Sequence, residues 1–437
     1  MQADLDQEEK DRTLMAALDE ARLKQAETPS TNRFAPERAL PVFREALRAY
    51  GLAAGEGDPK AAAERIRGRP AAVREAIAAA LDEWDEMAGS PRLNVTEPPR
   101  PWLQAVPAAA EPDAAWSLQV RAARAEKDGA RRRVALEKPA ASADAAHLPA
   151  RSLTRLARQL APAPKEALLR RAHRRYPADF WVNHDLGVAP GDVTPPERDE
   201  AVRFLTAAAA LRPDSPGCLI NLGQALKAKA QLDEAIACYR KLIEIDPKNA
   251  PARTQLEKSQ RLAAARDKLP AFRDGSDTPA SNEERLDLIE WRRIQTLHGT
   301  SPRLYAEAFA TDPKPADDLK AAHRCNAACS AALAAAGKGE EATDLDVVER
   351  ARLRKQALDW LRADLALRTN RLAGRTPADP ASASRAMRSW RQARDLAGIR
   401  DPEALAQLPE SERNDCEALW ADVQALTELA QRSAPGS

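Results

Sequence analysis

Apolar residues recur at three- to four-residue spacing along most of the chain, and sustained alternation of apolar and polar positions is missing, which predicts helices and argues against sheets. Residues 5–27 read as one amphipathic helix carried by Leu14, Leu18 and Ala21. Residues 36–50 and 59–87 read as further helices, broken at 51–58 and by Pro91. Between 89 and 115 stand Pro91, Pro98, Pro99, Pro101, Pro107 and Pro112. Proline lacks a backbone donor, so this density reads as an extended linker or surface loop and as the best internal boundary.

A second periodicity lies above the helical one. Ala201, Leu205 and Pro213 return 34 residues later as Ala235, Tyr239 and Pro247, and Leu222 returns as Leu256. The clearest unit, 216–249, reads PGCLINLGQALKAKAQLDEAIACYRKLIEIDPKN. Its small residues Gly223 and Ala235 fall where two antiparallel helices must touch, Tyr239 is placed to fill the space between hairpins, and Pro247 stops the second helix. The unit resembles the tetratricopeptide repeat family, whose seventh, eighth and twentieth positions match Leu222, Gly223 and Ala235. An upstream copy runs through Leu186, Gly187, Ala201, Leu205, Ala208 and Pro213, its turn stretched by two residues within VAPGDVTPPE, which holds Pro190, Pro195 and Pro196. Downstream, Glu257 stands where the family has Gly, so 250–266 is expected to be a closing helix with a polar outer face.

Weaker echoes flank this core. Leu169, Ala172 and Pro177 fit the second half of a preceding hairpin, and Tyr305, Ala308 and Pro313 fit another. An Ala-lined helix opening at Asn326, Ala327, Ala328 and Cys329 is expected to pair, across a Gly-Lys-Gly turn at 337–339, with the helix holding Ala357, Trp360 and Leu361. The strings RRAHRRYPADFWVNHDLG (170–187), RLYAEAFATDPKPADDLKAAHRCNAACSAALAAAGKGEEA (303–342), RARLRKQALDWLRADLAL (350–367) and the one at 395–430 are similar to the helical regions that follow the catalytic domain in planctomycete serine/threonine protein kinases. The similarity is loose over 10–87 and closer over 150–432. It implies protein contact. The kinase motifs themselves are missing: Ala35-Pro36-Glu37 and His184-Asp185-Leu186 are fragments without context, so phosphoryl transfer is not expected.

The expected architecture is all-α, a tetratricopeptide-like helix-hairpin solenoid with additional irregular helical regions. Its expected divisions are a helical region at 1–88, a proline-rich and partly irregular linker with helix at 89–149, the repeat core at 150–267, a loop at 268–282, degenerate hairpins at 283–370 and C-terminal helices at 371–432.

Composition narrows the functions. Lys plus Arg number 67 against 66 Asp plus Glu, a formal charge of +1, so no global field directs the chain to nucleic acid or an anionic membrane. The runs Arg131 to Arg133 and Arg170 to Arg175 spread around helices as solvated faces. The first ten residues are polar and acidic, and no stretch of about 18 apolar residues occurs, so secretion and membrane spanning are not expected. Five cysteines (Cys218, Cys238, Cys325, Cys329 and Cys416) form an odd set that suits a reducing compartment, with the cytoplasm as default. Cys325, Cys329 and His323 share a helix face but lack a fourth metal ligand, and Cys218 with His184 lacks an orienting acid, so packed side chains are the expected roles and no cofactor is expected. Trp84, Trp291, Trp360, Trp390 and Trp420 are expected to anchor helix contacts.

What remains is the groove lined by the first helix of each repeat. Helix phase puts His184, Ile220, Asn221, Gln224 and Lys227 on or near it, as a site for a protein or peptide partner. Family members that grip a C-terminal carboxylate use Lys and Asn where His184 and Val188 stand here, and Lys and Arg where Pro251 and Gln255 stand; only Asn221 matches. The expectation is a non-catalytic interaction scaffold. Two rivals stay open: a regulatory partner or detached tail of a kinase, and an enzyme with a site in the N-terminal third or beside the C-terminal helices.

Overall fold

The computed structural model describes residues 2–26, 39–89, 98–110, 115–188, 198–295, 301–338, 342, 344–374 and 380–433. Among them every regular element is a helix, and none is long and apolar enough to cross a membrane. The chain divides into two compact units, Met1–Ser259 and Gln260–Ser437.

The first unit opens with α1 (Gln2–Ala26), α2 (Ala39–Ala49), α3 (Pro59–Arg67), α4 (Ala71–Ala88) and α5 (Arg100–Ala110). Leu14, Leu18 and Ala21 of α1 join Phe43, Trp84 and Leu103 in one buried cluster, in which Phe43 and Trp84 stack 6.3 Å apart. The single helix expected over 59–87 is two. Asp58 caps α3 by accepting from the Lys60 N–H, Gly68 ends it, and Pro70 starts α4 because it cannot donate within a helix.

The proline-rich stretch is more ordered than its composition predicts. After α5 come α6 (Ala115–Arg124) and α7 (Gly129–Ala141), with Pro107 and Pro139 buried in the last turns of α5 and α7. Last-turn carbonyls have no partner within the helix, and here side chains supply one. Arg121 Nη2 donates to Pro107 O at 3.1 Å and Trp116 Nε1 to Pro139 O at 2.8 Å. Trp102, Leu103, Val106 and Leu136 are buried, so 98–110 and 115–149 are part of the packed unit and not a linker.

The hairpins follow as α8 (Ala150–Ala157) with α9 (Pro162–Arg175), α10 (Phe180–Val188) with α11 (Arg198–Leu211), and α12 (Pro216–Ala228) with α13 (Leu232–Ile245). Glycine is required at the two crossings by contact distance. A Cβ on Gly223 would stand 2.6 Å from Tyr239 Cε1, and one on Gly187 2.5 Å from Leu205 Cγ and 3.0 Å from its backbone nitrogen. Ala208 and Ala235 are fully buried, Leu186, Leu205, Leu222 and Tyr239 nearly so, while Ala201 is half-buried and Pro213 and Pro247 lie exposed in the turns. The α12–α13 turn is a Schellman cap: Gln231 N–H donates to Leu226 O at 2.9 Å, Ala230 N–H to Lys227 O at 3.0 Å, and Ala230 adopts a left-handed φ of 64°. The insertion carrying Pro190, Pro195 and Pro196 lies outside the described residues.

The closing helix α14 (Ala250–Asp274) does not stop at 266, and the loop expected at 268–282 narrows accordingly. Leu262, Ala265 and Leu269 extend its buried stripe at helical spacing, and Gly275 at φ +78° ends it.

The second unit contains α15 (Asn282–Ile294), α16 (Ser301–Thr311), α17 (Lys314–Asp317), α18 (His323–Ala335), α19 (Val347–Ala373), α20 (Pro380–Gln392), a 3₁₀ turn (Arg394–Ile399), α21 (Pro402–Leu405) and α22 (Glu410–Arg432). The Ala-lined α18 does pack on α19: Ala328, Ala331 and Ala335 share a buried cluster with Ala357 and Leu361, completed by Met387, Trp390, Leu419 and Val423. Gly339 of the intervening turn, with 340, 341 and 343, lies outside the described residues.

Two substitutions test this packing. Gly223→Ala gains helix propensity of about 1 kcal/mol but drives a methyl into the buried Tyr239 ring, for a net loss of about 1–2 kcal/mol. Ala230→Gly relieves a left-handed residue and is expected to stabilise by about 0.5–1 kcal/mol. Urea unfolding followed by far-ultraviolet circular dichroism checks both signs.

Candidate functional site

The expected groove lies where α10, α12 and the first turns of α14 stand side by side. Two side-chain hydrogen bonds cross these helices: Asn221 Nδ2 meets His184 Nε2 at 3.1 Å, and Lys227 Nζ donates to Gln255 Oε1 at 2.6 Å. Asn221, Gln224 and Lys227 are three residues apart on α12 and therefore share a face; Gln224 is exposed and the other two are half-buried.

The neighbouring face on α10 is closed. His184 Nδ1 sits 3.1 Å from Asp185 Oδ1, so a ring protonated on Nδ1 donates to Asp185 and accepts from Asn221. The ring also stacks on Phe180 at 5.8 Å and meets Trp181 edge-on at 5.9 Å. Asp185 takes a bidentate pair from Arg158 at 2.9 and 3.2 Å. Burial pushes its carboxyl up, but Arg158 and then His184 outweigh burial and hold it far below the usual carboxylate range. Two of the five expected groove residues are therefore not open. His184 is buried with both nitrogens engaged, and Ile220 is buried with Phe180, Trp181 and Leu222.

The covering element comes from the far end of the unit. Trp181 is held between two guanidiniums, Arg22 of α1 at 4.6 Å and Arg158 of α8 at 5.0 Å from its ring centroid. Its Nε1 donates to Asp19 Oδ1 at 3.3 Å, and Asp19 also pairs with Arg212, whose guanidinium lies 4.9 Å over Phe180. Arg22, with a side chain only 3% exposed, reaches Glu83 at 3.6 Å and donates to Thr154 Oγ1 at 3.3 Å. Burial lowers its guanidinium to about 10, with Glu83 opposing. Leu23 packs against the Phe180 and Trp181 cluster. The last turns of α1 thus dock on the first repeat. The sequence signal for this was an arginine placed among Leu18, Ala21 and Leu23, which helix phase alone did not connect to Trp181.

The chemical alternatives find packed side chains. Burial raises the Cys218 thiol to about 12, and its Sγ lies 3.6 Å from Leu205 O, the opposite of an activated nucleophile. The adjacent Cys325 thiol, together with burial, pushes Cys329 well up, and both pack against the α18–α19 core. Among the described residues no group of three or more His, Cys, Asp or Glu is placed to hold a metal ion.

A family model described as tetratricopeptide repeat matches residues 216–249, the hairpin formed by α12 and α13. The chain therefore carries a tetratricopeptide repeat there. No curated relative matches the chain, so the resemblance to kinase-associated regions rests on the sequence strings alone.

The Asp185 pair makes stability depend on acidity in a defined direction. Its folded pKa is depressed, so the contribution is fully present above the unfolded value of about 4 and is lost as pH falls below it. Asp185→Asn is expected to cost about 1–2 kcal/mol at neutral pH, because Arg158 loses its carboxylate but is itself partly open to water. Between about pH 5 and pH 2 the variant should lose less stability than the wild type, as read by thermal unfolding.

Proposed function

We propose that the protein is a non-catalytic scaffold that holds an extended segment of a protein partner along the face carrying Asn221, Gln224 and Lys227. The observation that carries this reading is the row itself: two amides and an ammonium group, spaced one turn apart on the first helix of a tetratricopeptide hairpin and outside the part covered by α1. Amides both donate and accept, so they complement the N–H and C=O groups of an extended backbone with little demand on its sequence. Capture of a C-terminal carboxylate is not proposed, because His184, Val188, Pro251 and Gln255 stand at the positions that would need Lys, Asn, Lys and Arg. The near-zero net charge favours a protein partner over nucleic acid or a membrane, and five free thiols favour the cytoplasm. The kinase-associated strings make a serine/threonine kinase the first partner to test, with this chain as its regulatory partner.

Affinity capture with mass spectrometry on the wild type and on Asn221→Ala, Lys227→Glu tests the reading. A specific partner depleted about tenfold or more in the double variant supports it. Unchanged capture of every specific partner refutes the face, and a set of specific partners without a kinase refutes the kinase assignment.

A further inference from the structure

A cleft between α4, α6 and α8 gathers three arginines on one side of the first unit. Arg121 and Arg124 lie one turn apart on α6, Arg155 faces them from α8, and Glu75 and Asp82 line the α4 wall. Asp82 serves two of the cations with one oxygen: Arg155 Nη1 lies 2.6 Å and Arg124 Nη1 3.6 Å from its Oδ2. Arg124 spends its Nε on Gln159 Oε1 at 3.1 Å, and Arg121 spends Nη2 on Pro107 O.

Donors remain after these pairings. Arg121 Nη1 and Arg155 Nε are buried and have no hydrogen-bond partner among the described residues, and the Arg155 side chain is only 9% exposed. A buried guanidinium N–H without an acceptor is costly, so the cleft is complementary to an added oxygen acceptor. Burial, then the facing Arg155, lowers the Arg124 guanidinium to about 10, with Asp82 and Glu86 opposing. Among the residues lining the cleft three guanidiniums meet two carboxylates, Glu75 and Asp82, and Glu86 also acts on Arg124 and Arg155. With these carboxylates nearby, a singly charged carboxylate meets less repulsion than a phosphate dianion would. A planar carboxylate also fits the guanidinium fork.

We propose that this cleft binds a carboxylate group, presented by a small organic acid or by an acidic peptide side chain. The site is independent of the face on α12 and asks nothing of it.

The test is isothermal titration of the full chain at low ionic strength with glutarate, a blocked glutamate tripeptide and inorganic phosphate. Saturable one-to-one binding of glutarate or the tripeptide is expected, weakening as salt is added. Arg121→Gln should reduce affinity about tenfold or more and Arg121→Lys by less, because the lysine keeps the charge and loses the fork. Glu75→Gln removes a competing carboxylate and should tighten binding, which keeps the proposal testable if the arginine variants fold poorly. Tighter glutarate points to a small acid as the source, and tighter tripeptide to a protein segment. The proposal is overturned if neither carboxylate saturates, if phosphate binds tenfold tighter than both, or if the well-folded variants bind like the wild type.

Discussion

The first unit depends on how one buried cation is accommodated. Arg22 cannot be removed from water without acceptors and an aromatic face, and it finds Glu83 on α4, Thr154 on α8 and the Trp181 ring on α10. These partners come from three stretches of chain that no local rule brings together. Trp181 in turn rests on Arg158, which holds Asp185, which orders His184 and through it Asn221. A single chain of pairings therefore joins the N-terminal helices to the first repeat and sets the rotamer at the edge of the open face. Arg22, Glu83 and Asp185 are buried while Arg158 reaches water, so the interior end of the chain is the demanding one: removal of Glu83 leaves Arg22 charged in the core.

The hairpins depend on a different constraint, close approach. Gly223 under Tyr239 and Gly187 under Leu205 leave no room for a Cβ, and this steric demand is why glycine stands at the same place in both hairpins. In the second unit α18 meets α19 through Ala328, Ala331 and Ala335, so alanines and not glycine line that contact. The caps show the parallel. Gly337 closes α18 with Lys338 N–H donating to Leu333 O at 3.0 Å, the same geometry that Ala230 and Gln231 adopt after α12.

This difference explains what the sequence disclosed. The all-helical class and the α12–α13 hairpin were legible because both rest on residue types within a few turns of one another. The helices between 98 and 149 were not, since Pro107 and Pro139 sit in last turns, where a proline reads as a breaker although its carbonyl is taken by Arg121 or Trp116. The extension of α14 was hidden by Pro270. Helix phase placed Asn221, Gln224 and Lys227 on a common face, yet it could not reveal that His184 is closed off, because the helix lying beside it is contributed by Asp19 and Arg22, 162 residues from Trp181 along the chain in the case of Asp19.

Three titratable groups inside the first unit are tuned away from acid–base and nucleophilic work. A general acid or base works best with a pKa near the working pH, and a thiol nucleophile needs its thiolate. Here burial lifts Cys218 to about 12, burial and Asp11 lift Tyr50 to about 12, and Arg158 keeps Asp185 ionised far into acid. Each group is driven away from neutrality and spent on a neighbour. The donors left unspent, on Arg121 and Arg155, are guanidinium N–H groups without an acceptor, the basis of the proposed carboxylate site. Both proposed sites accordingly rest on hydrogen-bonding groups and fixed charge: the amides of Asn221 and Gln224 with Lys227 on α12, and the guanidiniums of Arg121, Arg124 and Arg155 in the cleft.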